Sequence, residues 1–170
     1  MTSPRWLDAF CSWLKITPFS VALQTIEWIV PALQSIHILA IAAVVASAAM
    51  MTLRVLGLTS RDETLSAVAS RFLPVIAWAL PVLLTTGLLL ITAEPARSLE
   101  NPAFFLKMTL LVLALGLTVL WRVTTRGKQS TFWEASTLRS RAAPLLAVVF
   151  LSLWVAIVFA GRWIAYVEAS

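Results

Sequence analysis

Five polar side chains interrupt the longest apolar stretches of this 170-residue sequence: Gln34, His37, Lys107, Arg162 and Tyr166. A lysine and an arginine offer positive charge and N–H donors, and a neutral histidine offers one donor and one acceptor. Together these groups suit a carboxylate, a quinone oxygen or a lipid headgroup. Whether they can meet depends on the elements that carry them.

Four stretches of the chain are long enough to cross a bilayer. Residues 28–53, 72–93 and 142–161 are uncharged runs of 26, 22 and 20 residues, and in 101–121 a single cation, Lys107, interrupts 21 residues. A helix rises about 1.5 Å per residue, so roughly 20 residues cross about 30 Å of hydrocarbon. With 60% apolar and 12% charged residues, the chain is predicted to be all-α, a four-helix transmembrane bundle. The predicted spans are about 31–56, 72–92, 102–122 and 144–167.

The segment before the first span is predicted to be a short amphipathic surface helix. Trp6, Leu7, Phe10, Trp13 and Leu14 recur at helical spacing, while charged and polar residues occupy the other face. Thr17-Pro18 predicts the start of a second short helix. We therefore divide the chain into a surface segment, 1–27, and a transmembrane domain, 28–170. The tryptophans either lie at headgroup level or pack on the bundle.

The basic residues predict an orientation. The loops after the first and third spans contain eight cations, Arg54, Arg61, Arg71, Arg122, Arg126, Lys128, Arg139 and Arg141, whereas the opposite side has Arg5, Lys15 and Arg97. The positive-inside rule then predicts cytoplasmic loops and both termini outside a bacterial inner membrane. The cations are not interleaved with stacking aromatic residues, so the sequence does not favour a nucleic-acid partner.

The polar side chains fall at similar depth. His37 lies 17 residues from Arg54, Lys107 lies 15 from Arg122, and Arg162 lies 18 from Pro144. All are therefore predicted in the outer third of the membrane, where burying ionisable groups costs several kcal/mol and marks a functional candidate. The alternatives are that the two cations extend to headgroups and that His37 only bonds a neighbouring helix.

Redox and enzymatic chemistry find little support in the sequence. One histidine cannot supply a bis-histidine haem site, and one cysteine cannot form a disulfide or a cysteine-based metal site. His37 with Met108, or with a ligand from a partner, remains an alternative site for haem b or copper. We find no phosphate loop, no carboxylate pair within a span and no nucleophile elbow, which favours a protein that is not an enzyme.

Several strings resemble a family of small, uncharacterised bacterial inner-membrane proteins. They are His37–Ala42 leading to Leu53–Gly57, Thr86–Leu89, Asn101–Met108 and Gly161–Tyr166. This resemblance, which runs from about Trp28 to Tyr166, implies that His37, Lys107 and Arg162 belong to the family pattern. More distantly, the chain is similar to membrane b-type cytochromes and copper-resistance membrane proteins, but it lacks their additional histidines.

Three functions follow as hypotheses. The first is a non-catalytic membrane component whose outer polar layer (Gln34, His37, Lys107, Arg162, Tyr166) holds a small anionic ligand or a partner. Such a partner would be another membrane or periplasmic protein or a second copy of the chain. The second is a redox or metal-handling protein with haem b or copper at His37. The third is a purely structural membrane anchor.

Overall fold

Seven helices make up the part of the chain that the structure, a computed structural model, describes: residues 5–59, 62–99, 101–124 and 139–163. They are α1 (Arg5–Lys15), α2 (Pro18–Thr25), α3 (Ile29–Val55), α4 (Leu65–Ala93), α5 (Pro95–Leu99), α6 (Pro102–Thr124) and α7 (Arg139–Trp163). No strand occurs in these ranges. The predicted all-α fold is confirmed.

Four of the helices are long and apolar enough to span a membrane. In α3, α4, α6 and α7 the most apolar 18-residue windows have mean hydropathies of 2.2, 2.2, 2.2 and 2.6. Many of their large apolar side chains are exposed, Leu39, Leu84, Val112 and Phe159 among them. Such surfaces are stable in contact with lipid, and the protein is a multi-pass membrane protein.

Local sequence sets several helix ends. The Thr64 hydroxyl accepts a hydrogen bond from the Ala67 amide at 3.2 Å, which starts α4. The Asn101 side chain likewise accepts from the Ala103 amide at 2.9 Å and starts α6. After α3 the chain turns at Gly57, whose φ of 68° lies in the left-handed region that glycine adopts without strain.

The long helices pack in an incomplete square. Helix α3 packs along both α4 and α7, and α6 packs along α7, whereas α4 and α6 meet only over a short stretch. Val44, Ala48 and Met51 of α3 are fully buried in the core, which also contains Phe150 and Trp121. The Thr52 hydroxyl donates to the Ala147 carbonyl at 2.9 Å and joins α3 to α7.

The short helices α1, α2 and α5 form a layer at one end of the bundle, which we call the terminal end because α1 and the end of α7 both lie there. Helix α2 contacts α3 and α4, α5 contacts α4 and α6, and α1 contacts α5. Ser20, which is fully buried, donates to the carbonyl of Thr92 at 2.7 Å and accepts from the Gln24 amide at 2.8 Å. These contacts fix α2 to the end of α4.

Helix α1 has three faces. Leu7 and Cys11 are buried, whereas Trp6, Phe10 and Trp13 are exposed on a second face and Asp8, Ser12 and Lys15 on a third. The aromatic stripe therefore does not pack on the bundle; the side chains that do so are Leu7 and Cys11. Contact of the exposed aromatic face with the membrane surface stays a prediction.

Candidate functional site

His37 of α3 is held by a threonine of the neighbouring helix. Its Nδ1 lies 2.7 Å from Oγ1 of Thr86 in α4, a side chain that is only 5% exposed. The same hydroxyl lies 2.6 Å from the Val82 carbonyl, which can only accept. The single hydroxyl proton therefore goes to Val82, and Nδ1–H of His37 donates to Thr86. A neutral imidazole in this tautomer has its lone pair on Nε2.

A glycine lets the imidazole lie close to α4. A Cβ added at Gly87 would be 3.6 Å from Cε1 of His37, ordinary van der Waals distance. The edge of the ring formed by Nδ1 and Cε1 therefore faces α4. Within the described ranges no hydrogen bond reaches Nε2, so this nitrogen is available as an acceptor.

Lys107 of α6 reaches across to α7. A Cβ added at Gly161 would lie 3.6 Å from Nζ, 3.7 Å from Cε and 3.8 Å from Cδ, so the far half of the lysine side chain rests on the glycine. The side chain is half-buried, and its charge is close enough to His37 for a direct electrostatic interaction. Helices α3 and α6 are diagonal in the bundle, and the two side chains rest on different neighbours, His37 on α4 and Lys107 on α7.

The ammonium of Lys107 has no acidic counterpart in the described part of the chain. The ion pair between Arg71 and Glu63, whose side chains are 3.1 Å apart, lies at the other end of the bundle. A cation in low-dielectric surroundings without an anion is energetically unfavourable. A lysine ammonium can donate up to three hydrogen bonds, and those to an anionic acceptor are the strongest.

The other predicted ligand-binding residues are exposed or lie outside the described residues. Gln34 is exposed, and Arg162 is exposed one residue after Gly161. Tyr166 falls outside the described residues. Met108 follows Lys107 and is partly buried. Of the five residues predicted from sequence, His37 and Lys107 are within range of an electrostatic interaction with each other.

Three residues of the site were not predicted from the sequence: Thr86, Gly87 and Gly161. The position of Thr86 was a signal that it could meet His37. Thr86 precedes the end of α4 by seven residues, about as far as His37 follows the start of α3, so the two residues lie at a similar depth. A threonine in an apolar span usually donates its hydroxyl hydrogen bond to its own helix, as Thr86 also does. The residue type alone therefore does not reveal a second partner.

Across 5–59, 62–99, 101–124 and 139–163, no group of three or more histidine, cysteine, aspartate or glutamate side chains is placed to hold an ion. A metal at His37 would need ligands of another kind, such as a methionine, or ligands from a second chain.

Comparison with known proteins gives one match. The sequence model of a family of unknown function, DUF6644, matches residues 15–167, a range that includes all of α3, α4, α6 and α7 and every residue of the site. No curated protein and no solved structure matches the chain.

Proposed function

We propose that this protein, which belongs to the DUF6644 family, is a non-catalytic membrane component that binds the anionic group of a ligand between Lys107 and His37. The observation that carries the proposal is the position of the Lys107 ammonium. It rests on Gly161 of α7, partly buried and within electrostatic range of His37, with no acidic side chain paired to it in the described residues.

Energetics support a bound anion. A lysine near the centre of a membrane helix costs roughly 2.5–3.5 kcal/mol on insertion scales, less where the side chain can reach water. An anion held at Nζ would offset the cost, because charge-assisted hydrogen bonds contribute about 1.5–3 kcal/mol.

We place the site in the outer leaflet of a bacterial inner membrane, with both termini outside. Eight cations in the two opposite loops support this orientation. In that arrangement the terminal end of the bundle faces outward, and the exposed Trp6, Trp13 and Trp28 lie at the depth where tryptophan is enriched.

A second candidate function is binding of haem b or copper at His37. One observation favours it: the Nε2 lone pair takes no hydrogen bond in the described residues, and imidazole nitrogen ligates both iron and copper. Met108, a partner protein or a second copy of the chain would supply the remaining ligand.

The test is native mass spectrometry of protein extracted from its own membrane in mild detergent, together with a visible spectrum. Wild type should carry a non-protein mass that is lost in Lys107→Gln and kept in Lys15→Gln, the same change at an exposed lysine of α1. Equal masses in the wild type and Lys107→Gln would refute the proposal and favour a structural anchor. A haem or copper absorption band lost in His37→Phe would favour the second function instead.

A further inference from the structure

The chemistry of the site restricts the headgroup that it can bind. Nζ of Lys107 needs an anion, whereas Nε2 of His37, as an acceptor, needs an O–H or N–H donor. A bare anion would satisfy the lysine and leave the histidine lone pair unmatched. A headgroup that has an anionic group next to a hydroxyl would satisfy both.

Access from the aqueous side is covered. Helices α1, α2 and α5 contact the terminal ends of α3, α4 and α6. The layer is well packed. Ser20, Pro95 and Asn101 are fully buried or nearly so, and Leu7 and Cys11 are buried on the inner face of α1. The layer therefore narrows the aqueous approach along α3, α4 and α6.

Access from the hydrocarbon side is more open. The bundle is closed where α3 packs on α4, where α3 packs on α7 and where α6 packs on α7, but α4 and α6 touch only briefly. Both helices present exposed apolar side chains to the lipid, such as Leu84 and Leu88 of α4 and Val112 and Leu113 of α6. A hydrocarbon tail could lie between or along these helices without any loss of hydration.

We infer that the ligand is a membrane amphiphile that enters sideways between α4 and α6, with an anionic group bound to Lys107 and an adjacent hydroxyl donating to Nε2 of His37. This inference rests on the proposed function and adds the class of ligand and its route. A phosphodiester headgroup that bears a free hydroxyl has both features, and phosphatidylglycerol is the probe of that chemistry.

Binding is measured by native mass spectrometry on delipidated protein in neutral detergent, with three probes. They are phosphatidylglycerol, phosphatidylmethanol, which has the same phosphodiester charge without the hydroxyl, and glycerophosphoglycerol, the headgroup without tails. Wild type should bind phosphatidylglycerol about tenfold more tightly than phosphatidylmethanol, the effect of one hydrogen bond near the upper end of its range. The soluble headgroup should bind at least tenfold more weakly than phosphatidylglycerol.

Variants separate the two contacts. Lys107→Gln should weaken both lipids by about tenfold or more, as expected for a charged hydrogen bond. His37→Phe should weaken phosphatidylglycerol alone and bring the two lipids to similar affinity, and Lys15→Gln should change neither. If His37→Phe does not fold, Thr86→Val takes its place. Without the threonine hydroxyl the imidazole proton is no longer held on Nδ1, so the preference for phosphatidylglycerol over phosphatidylmethanol should shrink.

Each contrary outcome has a distinct meaning. If glycerophosphoglycerol binds as tightly as the lipid, the lateral route is refuted while an anion site at Lys107 stands. If phosphatidylmethanol equals phosphatidylglycerol in wild type, the hydroxyl contact is refuted. If phosphatidylglycerol binds equally to wild type and Lys107→Gln, the inference is refuted. The proposed function is then judged separately, by the mass that copurifies from the native membrane.

Discussion

The hydrogen bond between His37 and Thr86 predicts the effect of removing one hydroxyl. Thr86→Val replaces a side chain that is 5% exposed by one of nearly the same shape, so packing should change little. The substitution takes away the acceptor 2.7 Å from Nδ1 of His37 and leaves that N–H unpaired between α3 and α4. It also removes the hydroxyl that bonds Val82 within the helix.

The expected cost is modest. Hydrogen bonds between membrane helices average about 0.6 kcal/mol and reach about 1.7 kcal/mol. A buried donor left unpaired costs about 1–3 kcal/mol. Because His37 is only half-buried, we expect the free energy of unfolding to fall by about 1–1.5 kcal/mol. Titration with denaturing detergent in mixed micelles, followed by helical circular dichroism, measures this change.

The neighbouring threonine provides the control. Thr85 is exposed and no interhelical bond is seen for it, so Thr85→Val should change the free energy of unfolding by less than about 0.5 kcal/mol. In the background of His37→Phe, Thr86→Val should lose most of its effect, since residues that share a bond are not additive. Equal effects at Thr85 and Thr86, or full additivity with His37→Phe, would refute the assignment of this bond.

Three further predictions concern the rest of the fold. Thr52→Val should lower the free energy of unfolding by about 0.5–1.5 kcal/mol, because it removes the bond to Ala147 between α3 and α7; Thr109→Val, at an exposed threonine that bonds its own helix, is the control in the same titration. Cys11, 3% exposed beneath α1, should react slowly with a maleimide in mild detergent and rapidly after denaturation, and rapid reaction in the native state would show that α1 is not docked. Reporter fusions at Gly127 and Ser170 should report cytoplasm and exterior respectively, as the loop cations predict, and the reverse pattern would overturn the orientation.

The sequence alone predicted most of the fold. Runs of 20 or more uncharged residues have few stable environments other than a bilayer, and this is why all four spans could be located. Thr17-Pro18 marked a helix start because the effect of a capping residue followed by proline is local. Hydropathy placed the second span at about residue 72, whereas α4 begins at Leu65. A helix can continue past the hydrocarbon into water, so the apolar run marks the membrane and not the end of the helix.

Which faces meet was decided only by the tertiary structure. The small residues Ala42 and Ala46 have the spacing of a close helix contact, yet both are exposed, and Val44 and Ala48 are buried instead. Apolar residues occur on every side of α3, and in lipid no hydrophobic effect distinguishes the sides. Pattern along one helix therefore cannot identify its neighbours.

The candidate site was likewise predicted in part from the sequence and decided in part by the tertiary structure. Counting residues from the loop cations placed His37 and Lys107 at one depth, because depth follows from helical rise alone. Their partners could not be predicted in this way. Gln34 shares a helix face with His37 but is exposed, while the bond to His37 comes from Thr86, 49 residues away in the chain. The rotation of α3 against α4 determines that choice, and rotation is set by the fit of two surfaces that lie far apart in the sequence.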